Sequence, residues 1–135
     1  MSAPDPARAA RWIYRAAGIY GLIVMLPQYF LEGRIGRDTP PAITHPEYFY
    51  GFIGITVVWQ LAFLVIASDP ARYRPMMPVT WLEKLAFGGA VMALAMAGRV
   101  NATTTFFAGL DLSLGVLFVI AWLRTPATRE TSDVP

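Results

Sequence analysis

One carboxylate stands apart in this 135-residue chain: Asp111 falls inside an otherwise uncharged apolar run, residues 102–123. Counted from Thr104 at 1.5 Å per residue, it lies about 10 Å below the end of a helix. An ionised carboxylate at that depth costs at least ~2.5–3.5 kcal/mol on insertion scales, so it is expected to face a bundle interior with a partner or a proton. The nearest candidates, across the short segment 99–103, are Arg99 and Asn101. Two chemistries fit Asp111: a structural pair closing a helical hairpin, or a site for a ligand or proton. Gln60 is the second polar residue at depth, with Thr56 one turn before it on the same face. An amide there seeks hydrogen bonds from a neighbouring helix, or completes a pocket with Asp111.

Other polar residues have structural explanations beside any functional one. In His45-Pro46-Glu47, proline suits a first helical position and Glu47 favours the positive end of a helix dipole. His45 is the only histidine; beside Glu47 it is a thin metal site, and no metal is expected. Thr80-Trp81-Leu82-Glu83 matches a capping box, which gives Glu83 a structural task. Lys84, the only lysine, is then expected in the same interfacial turn, too shallow for a Schiff base that needs a lysine deep in a span. Asn101-Ala102-Thr103 matches a glycosylation sequon, a pattern common by chance. Met92 and Met96 stack on one helix face without a cysteine or second histidine, which favours packing over a metal path. G-x-S-x-G, H-E-x-x-H, Walker A and G-x-G-x-x-G are all absent, so no residue is assigned a catalytic role and the cofactor is left unknown.

The elements that must position these residues follow from composition. The chain is 56% hydrophobic and 15% charged, with no cysteine, and its mean hydropathy is +0.46. Soluble domains run at roughly 45–50% apolar and ~25% charged. Disorder, a disulfide scaffold, a cysteine-based metal site and a nucleic-acid partner are thereby excluded. Four apolar stretches, about 12–31, 48–68, 81–100 and 103–123, each approach the ~20 residues of a spanning helix. No stretch alternates as a barrel wall would. The expected fold is an all-α, integral membrane four-helix bundle, one domain over 1–135 with a flexible tail at 125–135 and a frayed start at 1–7. Prolines and glycines in residues 32–46 and 69–78 end helices there.

Lysine and arginine set the orientation. Arg8, Arg11, Arg15, Arg72, Arg74, Lys84, Arg124 and Arg129 fall on one side, against Arg34, Arg37 and Arg99 on the other. The positive-inside bias puts both termini in the cytoplasm. Trp12, Trp81 and Trp122 mark the same interface. The first stretch lacks a small-residue cleavage site, so it is expected to be a retained helix. Helix contacts are expected at small residues: Gly89, Ala93 and Ala97 in the third span, Ala17 and Gly21 in the first, Gly51 and Gly54 in the second, Ala108 and Gly115 in the fourth.

The segment Pro-Glu-Tyr-Phe-Tyr-Gly-Phe opening the second span, with the Asp69-Pro70 and Glu83-Lys84 landmarks and the four-span pattern, resembles small bacterial DoxX-like membrane proteins. That resemblance, over residues 12–123, implies a four-helix bundle with a polar pocket open to the outer side, and brings no catalytic residue with it. The expected role is a non-enzymatic, multi-pass inner-membrane protein in contact with the lipid bilayer. It would be an accessory subunit of a membrane complex, or a binder of a small amphiphile, with Asp111, Gln60, Arg99, Asn101, Glu47 and His45 as candidate ligand contacts. The alternatives are a membrane enzyme using Asp111 as acid or base on a lipid-like or quinone substrate, with Glu47, His45 or Glu32 as second group, and a small transporter.

Overall fold

Proline, glycine and one asparagine set the helix ends. The computed structural model describes residues 7–127, and the described residues are all-α. Helix α1, Arg8–Met25, runs on into a 3-10 turn, Leu26–Phe30, where Pro27 removes a backbone donor. Helix α2, Glu32–Asp38, is short; α3 spans Pro46–Ser68, with Pro46 at its first turn as expected. A 3-10 turn, Arg74–Met76, leads into α4, Met77–Met96, and α5 spans Ala102–Arg124. Three helical stretches, Pro46–Ser68, Arg74–Met96 and Ala102–Arg124, are long and apolar enough to cross a membrane. Helix α1 differs because Arg8, Arg11 and Arg15 share its 18 residues.

Two local expectations are corrected. The first connector contains α2, where no proline intervenes before Thr39 and Arg34 pairs with Asp38 one turn on, at 3.3 Å. Helix α4 begins at Met77, ahead of the expected 81, because Pro78 occupies a first turn where its missing N–H is no loss. Thr80 is therefore inside the helix and forms no capping box. Its hydroxyl donates to the Met77 carbonyl at 2.7 Å, leaving the Tyr14 hydroxyl to donate to Thr80 at 2.7 Å.

The tight α4–α5 hairpin is built as a helix stop followed by a helix start. Gly98 adopts φ +67, which lets the Arg99 N–H return to the Leu94 carbonyl at 2.9 Å. Asn101 then caps α5, its side-chain oxygen accepting the Thr104 N–H at 2.8 Å. Helix α4 packs along α5, α1 packs along α3, and the two pairs meet where α1 touches α5. Between α3 and α4 the contact is made by side chains, Phe52 against Phe87 and Lys84 over Phe63.

The core occupies the end of the bundle where α1 and α4 begin and α3 and α5 finish. Tyr14 stacks on Phe118 at 4.3 Å between centroids, and Phe63 meets Phe118 edge-on at 4.9 Å. Below it the Arg74 Nε donates to the Thr125 carbonyl at 2.7 Å, with the guanidinium 5.1 Å from the Trp122 ring. Thr125 is buried, so the expected flexible tail starts on an anchored residue. Residues 128–135, Arg129 among them, and residues 1–6 lie outside the described part.

The expected Gly89–Ala93–Ala97 stripe does not form the α4 interface: Ala93 and Ala97 are exposed, and Lys84, Gly88 and Val91 are the buried face. Close approach occurs at Gly21 and Gly115, as expected, and also at Gly18 and Gly88. A Cβ on Gly18 would lie 2.9 Å from the Gln60 carbonyl oxygen and 2.8 Å from Leu64 Cδ2. The leucine can rotate, but the carbonyl belongs to a helix. Gly18→Ala is expected to destabilise the protein by about 1–3 kcal/mol. Gly51→Ala, with nothing within 4 Å, should be stabilising by roughly 0.5–1 kcal/mol through helix propensity. Thermal unfolding of both variants in detergent checks the opposite signs; equal melting temperatures would refute the close contact.

Candidate functional site

Above the aromatic core the bundle is hollow. A cavity of about 380 Å³ lies between the second half of α1, the first halves of α3 and α5, and the middle of α4. Its existence follows from the packing: the two pairs meet at α1 and α5, whereas α3 and α4 stand apart, so on that side no close helix seam fills the space between them. Aromatic rings make much of the wall, with Phe52 and Phe87 at 5.6 Å bridging α3 to α4. Such a volume is at the small end of ligand pockets, which run about 300–1,000 Å³.

The deep end is charged. Lys84 Nζ lies 3.0 Å from Asp111 Oδ1 and 3.1 Å from Glu83 Oε2. The lysine side chain is only 4% exposed and both carboxylates 18%. The ammonium also sits 5.1 Å from the Phe63 ring centroid, joining the ion cluster to the core beneath it. Gly115 makes this possible, since a Cβ there would stand 3.2 Å from the Lys84 Cβ.

Asp111 therefore has a partner, but the partner is Lys84. Arg99 is exposed and forms no ion pair among the described residues, and Asn101 is occupied as the α5 cap. The reason is register. In an antiparallel hairpin, residues equally distant from the turn face each other, and Lys84 and Asp111 lie at nearly equal distances from Gly98. Arg99 is in the turn itself, far from Asp111 along the axis.

Gln60 is buried and lines the cavity with Thr56. Its Nε2 donates to the Thr56 carbonyl at 3.1 Å, within its own helix. Among the described residues it makes no hydrogen bond to a neighbouring helix, so of the two expected roles it takes the one in the pocket with Asp111. The side chain instead fills the notch at Gly21, where any Cβ would collide with it.

The remaining candidates fall outside the cavity. His45 Nδ1 and Glu47 Oε1 are 3.3 Å apart on the exposed end of α3. Glu32 accepts the Tyr50 hydroxyl at 2.7 Å and does not line the cavity. No group of three metal-ligating side chains occurs among the described residues. The cavity thus joins Asp111 and Gln60 and leaves out Arg99, Asn101, Glu47 and His45.

Sequence reading missed Lys84 and Glu83 as site residues. The sequence places both in an interfacial turn, because Thr80-Trp81-Leu82-Glu83 has the pattern of a cap. With α4 starting at Met77, Lys84 lies about 10 Å inward from that end at 1.5 Å per residue. Pro78 was the available signal, as a first-turn proline rather than a stop.

No protein-family model matches the chain, and no curated protein or solved structure matches it. None of these comparisons supports the resemblance to DoxX-like proteins.

Proposed function

We propose that the chain is a four-span inner-membrane protein that holds a small amphiphile in its central cavity, alone or as an accessory subunit of a membrane complex. The cavity carries this reading: aromatic and aliphatic walls lead down to an ionic and amide floor of Lys84, Asp111, Glu83 and Gln60. An apolar tail suits the first and a polar head the second. Apolar side chains exposed along α3 and α5, among them Ile55, Val58, Phe106 and Val116, fit contact with lipid tails. Helix α1 serves as the fourth span, with Arg8, Arg11 and Arg15 at the cytoplasmic headgroups and the cavity opening to the outer side.

Val24 lines the cavity wall on α1, and Val24→Trp would fill it. Purification from native membranes, followed by mass spectrometry of extracted small molecules, should find one amphiphile near stoichiometric with the protein. The folded Val24→Trp variant should have lost it. Indistinguishable extracts from the two proteins would defeat the reading.

A second reading has one observation behind it. An acid–base enzyme needs a titratable group beside Asp111, and Lys84 with Glu83 supplies it, whereas Glu47, His45 and Glu32 do not reach the cavity. Turnover of a lipid-like or quinone substrate, lost in folded Asp111→Asn, would favour it over simple binding.

A further inference from the structure

With both carboxylates ionised, the charges at the cavity floor do not balance. Glu83, Lys84 and Asp111 are the charged residues lining it, and two carboxylates share one ammonium. Lys84 engages one oxygen of each, Oε2 of Glu83 and Oδ1 of Asp111. Glu83 Oε2 has this ion-pair contact but no hydrogen bond, and among the described residues no hydrogen bond reaches the second oxygen of either carboxylate, while the lysine's own charge is already spent between them. A surplus negative charge in a low-dielectric site attracts a cation strongly and repels an anion. The walls add to this preference. Tyr20, Phe49, Phe52, Phe87 and Phe107 line the same space, and the faces of aromatic rings attract organic cations.

We propose that the cavity selects amphiphiles with a positively charged nitrogen head, an alkylammonium in the simplest case. The inference rests on the amphiphile-binding reading and adds the sign of the head. The head docks beside the free oxygens of Asp111 and Glu83, and the tail runs along the aromatic wall toward the outer end.

Three probes with one tail length separate the possibilities: decylammonium, decanol and decanoate, each measured by equilibrium dialysis against the purified full chain in neutral maltoside micelles. Binding to Val24→Trp, subtracted, removes partition into the micelle. The expected order is decylammonium first, at least tenfold tighter than decanol, with decanoate weakest. Glu83→Gln restores charge balance at the floor, so it should abolish the preference for decylammonium over decanol. Equal binding of amine and alcohol to the wild-type protein, or tighter binding of decanoate, would overturn the head-charge proposal with the amphiphile reading intact. If no probe binds above the Val24→Trp background, the amphiphile reading fails and this proposal with it. The wild-type ranking decides the matter even if Glu83→Gln does not fold.

Discussion

Lys84→Met is expected to be the most damaging single substitution outside the aromatic core, costing about 3–5 kcal/mol of stability. The lysine side chain is 4% exposed and stands between Asp111 and Glu83 at 3.0 and 3.1 Å. Methionine matches its shape but leaves two carboxylates facing each other in an apolar interior. Most of the loss is the desolvation of orphaned charge, rather than the net worth of the pairs. The triple variant Lys84→Met, Glu83→Gln, Asp111→Asn should therefore recover much of it, because a neutral floor has no orphan. Arg99→Gln, at an exposed position, should stay within about 0.5 kcal/mol of wild type. Unfolding by sodium dodecyl sulfate titration gives all three numbers. A Lys84→Met variant no less stable than Arg99→Gln would mean that the ion cluster does not form.

The second large effect is at Tyr14, which is fully buried and binds through both ends. Its ring stacks on Phe118 at 4.3 Å and meets Phe63 at 6.1 Å; its hydroxyl bonds Thr80 at 2.7 Å. Tyr14→Ala removes the ring and opens a void at the junction of α1, α3 and α5. Aromatic-to-alanine changes in cores cost about 3–5 kcal/mol. The low end is expected on the proposed membrane placement, since a bundle in lipid gains packing but little water-transfer energy from that ring. Tyr14→Phe removes only the hydroxyl. Thr80 keeps its bond to the Met77 carbonyl, so the cost should be about 0.6 kcal/mol, the average for hydrogen bonds between helices in a membrane, and no more than the maximum of about 1.7 kcal/mol. Thermal unfolding of the two variants separates packing from hydrogen bonding; equal losses would assign the site's stability to the hydroxyl.

Apolar composition, proline placement and the lone charge in an apolar run were enough, read along the chain, to establish helices, their approximate ends, the tight α4–α5 hairpin and the anomaly of Asp111. These signals are local. A proline acts on its own turn, hydropathy is a sum over one segment, and a charge is conspicuous among its own neighbours whatever packs against it. The partner of Asp111 was not legible in that way. It depended on where α4 starts, which decided the depth of Lys84, and on the register about Gly98, which brought Lys84 level with Asp111. The Gly89–Ala93–Ala97 stripe failed for a similar reason, because a helix has several faces and only the packed bundle selects one. Gln60 meeting Gly21 and the gap between α3 and α4 are likewise properties of helix pairs. The sequence by itself determined a chain of apolar helices with a buried charge to satisfy. The tertiary structure decided that a lysine and a second carboxylate satisfy it at the floor of a cavity, because contacts between helices depend on register and rotation that no single segment encodes.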